Sequence, residues 1–186
     1  MIGETQGDEG ENMTAPRQQI LLHSLIAKYA PMTMDLRIAQ ELGYDGIELS
    51  AAKMRAFLDA GWSEAELAAR LRPVNIPGIG FLLDLERHGP DEAALLKDAE
   101  GLFHLAGLAG AGGVQVLTGP VDLAAARRHA AGLPVGGYAG GLGLDRADQM
   151  AISARNLARL ADMAAGRGLL IYLEALGWCP LNSLAD

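Results

Sequence analysis

Five short apolar runs alternate with longer amphipathic stretches along the chain, and this alternation predicts an α/β fold. The apolar runs predict β-strands over residues 20–26, 46–50, 76–85, 114–117 and 169–176. The stretches between them have apolar side chains at helical spacing and predict helices over residues 33–42, 63–72, 90–106, 123–131 and 146–167. Strands that alternate regularly with helices form a parallel sheet with right-handed crossovers.

Capping residues mark the ends of two of these helices. Thr33 is expected to cap the first helix at its N-terminus, and Gly43 follows that helix as a natural stop. Ser63 and Glu66 have the spacing of a capping box, in which each side chain bonds to the backbone N–H of the other residue.

Two architectures fit this order of elements: a doubly wound sheet, or the first part of an eight-stranded barrel. A dinucleotide-binding sheet needs G-x-G-x-x-G just after its first strand, but residues 27–31 contain no glycine. The glycines at 107–113 precede a strand, and those at 136–143 lie in the long connection 118–145. A nucleotide-binding fold is therefore poorly supported.

The long connection over residues 118–145 contains Tyr138 among its glycines. Long loops often cover a site, so Tyr138 is expected in a mobile cover; an ordinary connection is the alternative.

Composition narrows the class of protein. The chain has 186 residues, half of them hydrophobic, which is enough for one sizeable core, and its net charge of −8 with no basic patch disfavours a nucleic-acid partner. The single cysteine, Cys179, excludes an internal disulfide. No apolar run approaches the ~20 residues that cross a membrane, and the acidic N-terminus lacks the features of a signal peptide. We expect a cytoplasmic protein with a disordered tail over residues 1–19 and one domain over residues 20–186.

The last predicted strand ends in a carboxylate. Residues 169–176 read as a strand buried on both faces, with Tyr172 and Glu174 as its polar side chains. An ionised carboxylate at such a position must meet solvent, pair with a cationic side chain or bind a cation, because burying it alone is too costly. Catalytic groups of parallel α/β folds sit at the carboxyl ends of strands, which makes Glu174 a candidate.

Two segments of the chain resemble a known family. Residues 43–49, Gly-Tyr-Asp-Gly-Ile-Glu-Leu, are similar to the second-strand signature of xylose isomerase-like TIM barrels, which include sugar phosphate isomerases and epimerases. Residues 172–174, Tyr-Leu-Glu, follow a helix that ends in Ala-Gly-Arg-Gly at 165–168 and resemble the fifth-strand signature. The resemblance covers roughly residues 20–180. It implies a (β/α)8 barrel and the isomerisation or epimerisation of small sugars aided by a divalent metal.

The predicted barrel is incomplete, with about five of the eight βα units that a TIM barrel needs. The resemblance implies that Glu174 is the first metal ligand and the catalytic acid or base. It also implies an Asp, a His and a Glu on strands six to eight, which have no counterpart before Asp186. The metal is expected to be Mg²⁺, Mn²⁺ or a similar ion. The first and last strands should each have a free edge, which favours a homo-oligomer.

Four further side chains are candidates for substrate binding: His23, Glu48, Glu86 and Trp178. The resemblance implies that Glu48 lies on or just behind the substrate side; a salt bridge at the strand end is the alternative. His23 is expected to face the barrel mouth or to be a hydrogen-bonded structural residue. Asp84 and Glu86 follow the third strand on one side, so at least one should point into the site unless Arg87 neutralises them. Trp178 is expected to pack on a sugar face or to cap the core.

Three functions remain open. The first is a metal-assisted isomerase or epimerase that acts on a small sugar or sugar phosphate through an enediol-like intermediate, with the activity of this half of the barrel undecided. The second is an abasic-site endonuclease type of barrel, although that class uses several histidines on the early strands and binds DNA. The third is a non-enzymatic half-barrel that a second chain completes.

Overall fold

A computed structural model describes residues 17–138 and 140–183 of the chain, and its described part contains one parallel sheet with helices on one face. The strands are β1 Leu21–His23, β2 Gly46–Ser50, β3 Gly78–Leu82, β4 Gly113–Leu117 and β5 Leu170–Glu174. The helices are α1 Met32–Glu41, α2 Ala51–Asp59, α3 Glu64–Leu71, α4 Glu92–Ala109, α5 Leu123–Ala130 and α6 Arg146–Ala165. Short 3-10 turns cover Ser24–Ala27, Gly89–Asp91 and Gly141–Gly143. The prediction of a tail over residues 1–19 lies outside the described residues except for 17–19.

The strands follow one another in sequence order across the sheet, β1-β2-β3-β4-β5, and every neighbouring pair is parallel. This order is that of a barrel wall, and it confirms the predicted α/β class with about five βα units. Within the described residues β1 and β5 each have one unpaired edge. No helix in this part of the chain has the length and apolar character needed to cross a membrane.

The hydrophobic core lies between the sheet and the helix layer. Alternate strand residues such as Ile47, Leu49 and Ile79 are fully buried and belong to one cluster with Leu102 and Phe103 of α4. Because successive strand residues point to opposite faces, the residues between them lie on the other, inner face of the sheet.

The predicted strand β2 and the capping box at Ser63 are confirmed. The helix α2 is missing from the prediction because it follows Ser50 directly, with no turn residue and no side-chain cap at the junction. Helix α1 begins after Pro31 and not at a Thr33 cap. Strand β3 is shorter than predicted, since the chain leaves the sheet before Asp84, which has a left-handed φ of 56°.

The prediction that the last strand is buried on both faces is wrong for the described structure. Strand β5 spans only Leu170–Glu174, with Leu170 75% and Leu173 48% exposed. The reason is its place at the edge of the sheet: β4 pairs with it on one side, and no strand pairs with it on the other within the described residues.

A buried ion pair holds the turn after β1 against α1 and α2. The Lys53 ammonium donates to Asp35 Oδ2 at 2.6 Å and to the carbonyl oxygens of Ser24 and Ala27 at 2.9 and 2.8 Å. The Ser24 hydroxyl also donates to Asp35 Oδ2 at 2.6 Å. The Lys53 side chain is 9% exposed and that of Asp35 1%, so each charge depends on the other for compensation.

We expect Lys53→Met to lower the free energy of unfolding by about 3–5 kcal/mol, because it leaves the Asp35 carboxylate buried without its cation. Urea denaturation followed by circular dichroism measures this loss. The matched control is Arg37→Met, which removes the exposed Arg37–Glu41 pair and should cost less than about 0.5 kcal/mol. Equal losses in the two variants would contradict a structural role for the buried pair.

Candidate functional site

The inner face of the sheet has a short row of polar side chains, which ends in Glu174 at the carboxyl end of β5. Glu48 lies on β2, Gln115 on β4, and Tyr172 and Glu174 on β5. They alternate with core residues, so their side chains point away from the helix layer. Hydrogen bonds across the sheet join them into two pairs, Tyr172 with Glu48 and Gln115 with Glu174.

Tyr172 reaches from β5 to β2 across two intervening strands. Its hydroxyl donates to Glu48 Oε1 at 2.5 Å. This span is possible because Gly113 and Gly78 have no side chains; a Cβ on Gly113 would lie 3.2 Å from Tyr172 Cε1, and one on Gly78 would meet the hydroxyl. Burial, together with the bond to Glu48, raises the pKa of Tyr172 far above its ordinary value. The phenol therefore stays a proton donor to the Glu48 carboxylate.

Gln115 holds Glu174 from the neighbouring strand. Its Nε2 donates to Glu174 Oε2 at 2.5 Å, which fixes the orientation of the amide because only the NH₂ group can donate to a carboxylate. The Gln115 side chain is buried, and its Oε1 has no hydrogen-bond partner among the described residues. That oxygen lies against Gly80, where an added Cβ would be 2.8 Å away.

Glu174 is exposed at the end of this row. It ends β5 on the inner face, and its second carboxylate oxygen, Oε1, makes no hydrogen bond with the described residues. One oxygen is thus positioned by Gln115, and the other is open to a ligand at the carboxyl end of the strand.

A second carboxylate group braces the loops that follow β3 and β4. Glu86 Oε2 accepts from the Gly119 amide at 2.9 Å, and Asp84 Oδ1 accepts from the Val121 amide at 2.8 Å. The Tyr138 hydroxyl donates to Glu86 Oε1, which brings the long connection after β4 to this carboxylate. Burial raises the pKa of Glu86 to about 7, with a further contribution from the charge of Asp84.

His23 and Trp178 make hydrogen bonds with nearby backbone. His23 is exposed at the end of β1, and its Nδ1 accepts from the Leu25 amide at 3.2 Å, which caps the following turn. Trp178 is 50% exposed, and its Nε1 donates to the Pro120 carbonyl oxygen at 2.9 Å. His23 and Glu48 line a small cleft on the inner side of the sheet, whereas Trp178 and Glu86 lie at the loops after β3 and β4. Substrate contact by these four residues stays a prediction.

The described residues do not form a complete metal site. They contain no group of three or more His, Cys, Asp or Glu side chains that could hold an ion. Glu174 supplies one carboxylate at the mouth of the sheet, whereas Mg²⁺ and Ca²⁺ take about six or more ligands. The metal role of Glu174 stays a prediction that needs ligands from outside this set.

Sequence reasoning missed Gln115 and assigned no partner to Tyr172. One signal was available: Gln115 is the single polar residue in the strand Gly-Val-Gln-Val-Leu of residues 113–117. A lone amide in a buried strand needs a partner, and the carboxylate on the next strand provides it.

Comparison with known proteins identifies the fold. No protein-family model matches the sequence, and no curated protein matches it. A structure of IolI protein with a bound zinc atom is similar, with a TM-score of 0.70 at 16% identity over 90% of this chain and 56% of that chain. A xylose isomerase domain protein from Alicyclobacillus acidocaldarius has a TM-score of 0.63 at 18% identity over 90% and 56%. D-psicose 3-epimerase in the presence of D-fructose has a TM-score of 0.60 at 17% identity over 89% and 54%.

The chain spans about half the length of these solved structures. Its fold is that of an incomplete xylose isomerase-like TIM barrel, as the residues of β2 and β5 predicted. A family 2 AP endonuclease from Brucella melitensis is also similar, with a TM-score of 0.60 at 15% identity over 86% of this chain and 56% of that chain. The fold is therefore shared by proteins of different reaction classes and does not identify the reaction.

We expect Gly80→Ala to displace the Gln115 amide and break its bond to Glu174, because the new Cβ would lie 2.8 Å from Gln115 Oε1. The cost is about 1–3 kcal/mol of unfolding free energy, measured in urea. The control is Gly101→Ala in α4, where nothing lies within 4 Å; this change should stabilise the helix by about 0.5–1 kcal/mol. Stabilisation in both variants would contradict the proposed packing of Gln115.

The raised pKa of Glu86 predicts a pH-dependent stability. Folding raises this pKa from 4.5 to about 7, so the folded state binds the proton more tightly, and the stabilisation present below 4.5 is lost as pH rises toward 7. We expect the unfolding free energy of the wild type to fall by roughly 2–3 kcal/mol relative to Glu86→Gln between about pH 4.5 and 7.5.

Urea denaturation across this pH range measures the difference between wild type and Glu86→Gln. Glu41→Gln serves as the control, since Glu41 is exposed on α1 and pairs there with Arg37. Parallel pH profiles for wild type and Glu86→Gln would show that Glu86 titrates normally in the folded protein.

Proposed function

We propose that the chain is half of a xylose isomerase-like barrel enzyme that isomerises or epimerises a small sugar or sugar phosphate by proton transfer. The observation that carries the proposal is the state of Glu174. It is exposed at the carboxyl end of β5 on the inner face, with one oxygen held by Gln115 and the other open. This is the position and the freedom that a catalytic carboxylate needs.

The chemistry requires a base that removes a proton from a carbon next to a carbonyl group. In the proposed reaction Glu174 takes this proton, the C–H electron pair forms the double bond of an enediolate, and the carbonyl oxygen gains the negative charge. Return of the proton to the former carbonyl carbon gives the isomer, provided that the hydroxyl proton of the first carbon passes to the enediolate oxygen. Epimerisation instead needs a second acid that delivers a proton to the opposite face of the first carbon. Gln115 keeps the carboxylate aimed at the mouth throughout.

The other candidate residues are proposed to contact or position the substrate. His23 and Glu48 are paired on neighbouring strands, and a substrate hydroxyl group is proposed to meet the Glu48 carboxylate beside the Tyr172 phenol. The half-exposed Trp178 ring offers a flat surface for a sugar face. Glu86 is proposed to act through Tyr138, because its bond to the Tyr138 hydroxyl holds the long connection after β4 in place. The buried free thiol of Cys179 is compatible with the cytoplasm as the proposed location.

In this proposal Glu174 is the one ligand that the described residues supply to a divalent metal. Such an ion would neutralise the developing oxyanion and bind one carboxylate oxygen. The described residues do not supply the other ligands, so these must come from outside the described set. The zinc atom in the similar IolI structure supports a metal in barrels of this fold.

We expect Glu174→Gln to slow exchange of the carbon-bound proton of a substrate ketose by at least roughly 100-fold, because the amide cannot accept that proton. Proton NMR in D₂O, with a panel of ketoses and the complete parent protein, measures this exchange. Titration with Mn²⁺ should show weaker binding to the same variant. Glu100→Gln, an exposed carboxylate on α4, is the matched control. Wild-type exchange and metal affinity in Glu174→Gln would refute both roles.

A half-barrel that a second chain completes is the second candidate, favoured by the exposed apolar residues of β5. Leu170 is 75% and Leu173 48% exposed beside a free strand edge, a combination that invites pairing with another strand. Light scattering separates the two candidates: a discrete dimer supports the assembly module, and a stable monomer refutes it. Cleavage at abasic sites is not proposed, since His23 is the one strand histidine in the described residues.

A further inference from the structure

A cavity outside the inner face of the sheet lies between the start of α1 and helix α2. This groove has a volume of about 670 Å³, which is within the range of small-molecule sites. Leu25 and Ser50 line it, and both also line the cleft beside His23 and Glu48. The groove is therefore a neighbour of the candidate active site and is separate from Glu174.

The floor of the groove is apolar and aromatic. Phe57 and Trp62 stack there with ring centroids 5.3 Å apart and an angle of 16° between the rings. Trp62 is 45% exposed, so part of its ring is accessible to a ligand. A stacked pair of this kind presents a flat surface to a ring or another apolar group.

The charged residues that line the groove are all cationic. Its lining includes Lys28, Lys53 and Arg70, and no Asp or Glu, in a chain whose net charge is −8. Lys53 is neutralised by Asp35 and contributes its aliphatic stem. The Lys28 ammonium lies 5.6 Å from the centroid of the Tyr29 ring. Arg70 interacts electrostatically with Glu66, whose carboxylate is hydrogen-bonded to Ser63. Neither Lys28 nor Arg70 forms a salt bridge within the described residues, so both can bind an anion.

The first turn of α1 adds a third positive element. Pro31, Met32 and Thr33 line the groove, and no side chain caps the helix at Pro31. The backbone N–H groups at a helix N-terminus favour negative charge. The acidic residue of this turn, Asp35, is buried and paired with Lys53.

We propose that this groove is a binding site for a small molecule with a ring-shaped or apolar body and one anionic group, either a phosphate or a carboxylate. The body stacks on Phe57 and Trp62, and the anion lies near Lys28, Arg70 and the start of α1. The charge complementarity carries the choice of ligand: an apolar floor alone would accept any hydrophobic partner, whereas a cationic lining without carboxylates selects an anion. This site goes beyond the proposed proton transfer and does not depend on it.

The test follows the fluorescence of Trp62 in a Trp178→Phe background, which leaves one indole in the chain. Four probes separate the parts of the ligand: phenyl phosphate, benzoate, phenol and inorganic phosphate. We expect saturable changes with phenyl phosphate or benzoate, and at least roughly tenfold weaker binding of both phenol and inorganic phosphate, because each lacks one of the two contacts. Comparison of phenyl phosphate with benzoate identifies the preferred anion.

Charge reversal then tests the cations. Lys28→Glu combined with Arg70→Glu should weaken the better probe by at least roughly tenfold. The control combines Lys97→Glu with Arg127→Glu, two exposed residues on α4 and α5 outside the groove, and changes the net charge by the same amount. Glu174→Gln should bind the probe like the wild type, which separates this site from the proposed catalytic one.

Three results would overturn the proposal. The first is phenol binding as tightly as phenyl phosphate and benzoate, which would make the groove merely hydrophobic. The second is an equal loss of affinity in the two charge-reversed proteins. The third is a concentration-dependent dimer in sedimentation that Trp62→Ala abolishes, because a second copy of the chain would then be the occupant of the groove.

Discussion

The inner face of the sheet depends on the absence of three side chains. Gly78 and Gly113 leave room for the Tyr172 ring to cross two strands, and Gly80 leaves room for the Gln115 amide. A Cβ at any of these positions would press on one of the two cross-sheet pairs. The orientation of both inner carboxylates, Glu48 and Glu174, therefore depends on these glycines, because Tyr172 and Gln115 lie directly over their backbone.

The same face explains why the chain looks unfinished. In a closed barrel every strand pairs with a neighbour on both sides, and its inner residues contact others across the lumen. Here β5 has a free edge, and Leu170, which faces inward beside Gly113, is largely exposed. An apolar run of this kind is stable in water only when something covers it. The composition of β5 is thus that of a strand inside a barrel wall, whereas its exposure within the described residues is that of an edge strand.

Periodicity in the sequence was enough to predict five strands along the chain, because buried strands and amphipathic helices have different apolar spacing. Their order across the sheet followed only from the resemblance to a barrel family. The periodicity did not predict α2, because this helix begins immediately after Ser50 with no side-chain cap or turn residue at its start. Contacts between distant residues were also beyond reach. The Tyr172–Glu48 bond joins residues 124 positions apart, and the Gln115–Glu174 bond joins residues 59 positions apart. Residue type alone identified the carboxylates but not the groups that hold them.

The two best-placed carboxylates have opposite environments, and this difference separates their roles. Glu86 is buried and bonded to the Gly119 amide and the Tyr138 hydroxyl, and its pKa of about 7 keeps a large fraction protonated near neutral pH. Such a group can hold a loop without adding a full negative charge beside Asp84. Glu174 is exposed at the end of β5 and accepts one bond from an amide. A base that must act at the mouth needs the second environment, and a brace beneath a loop needs the first.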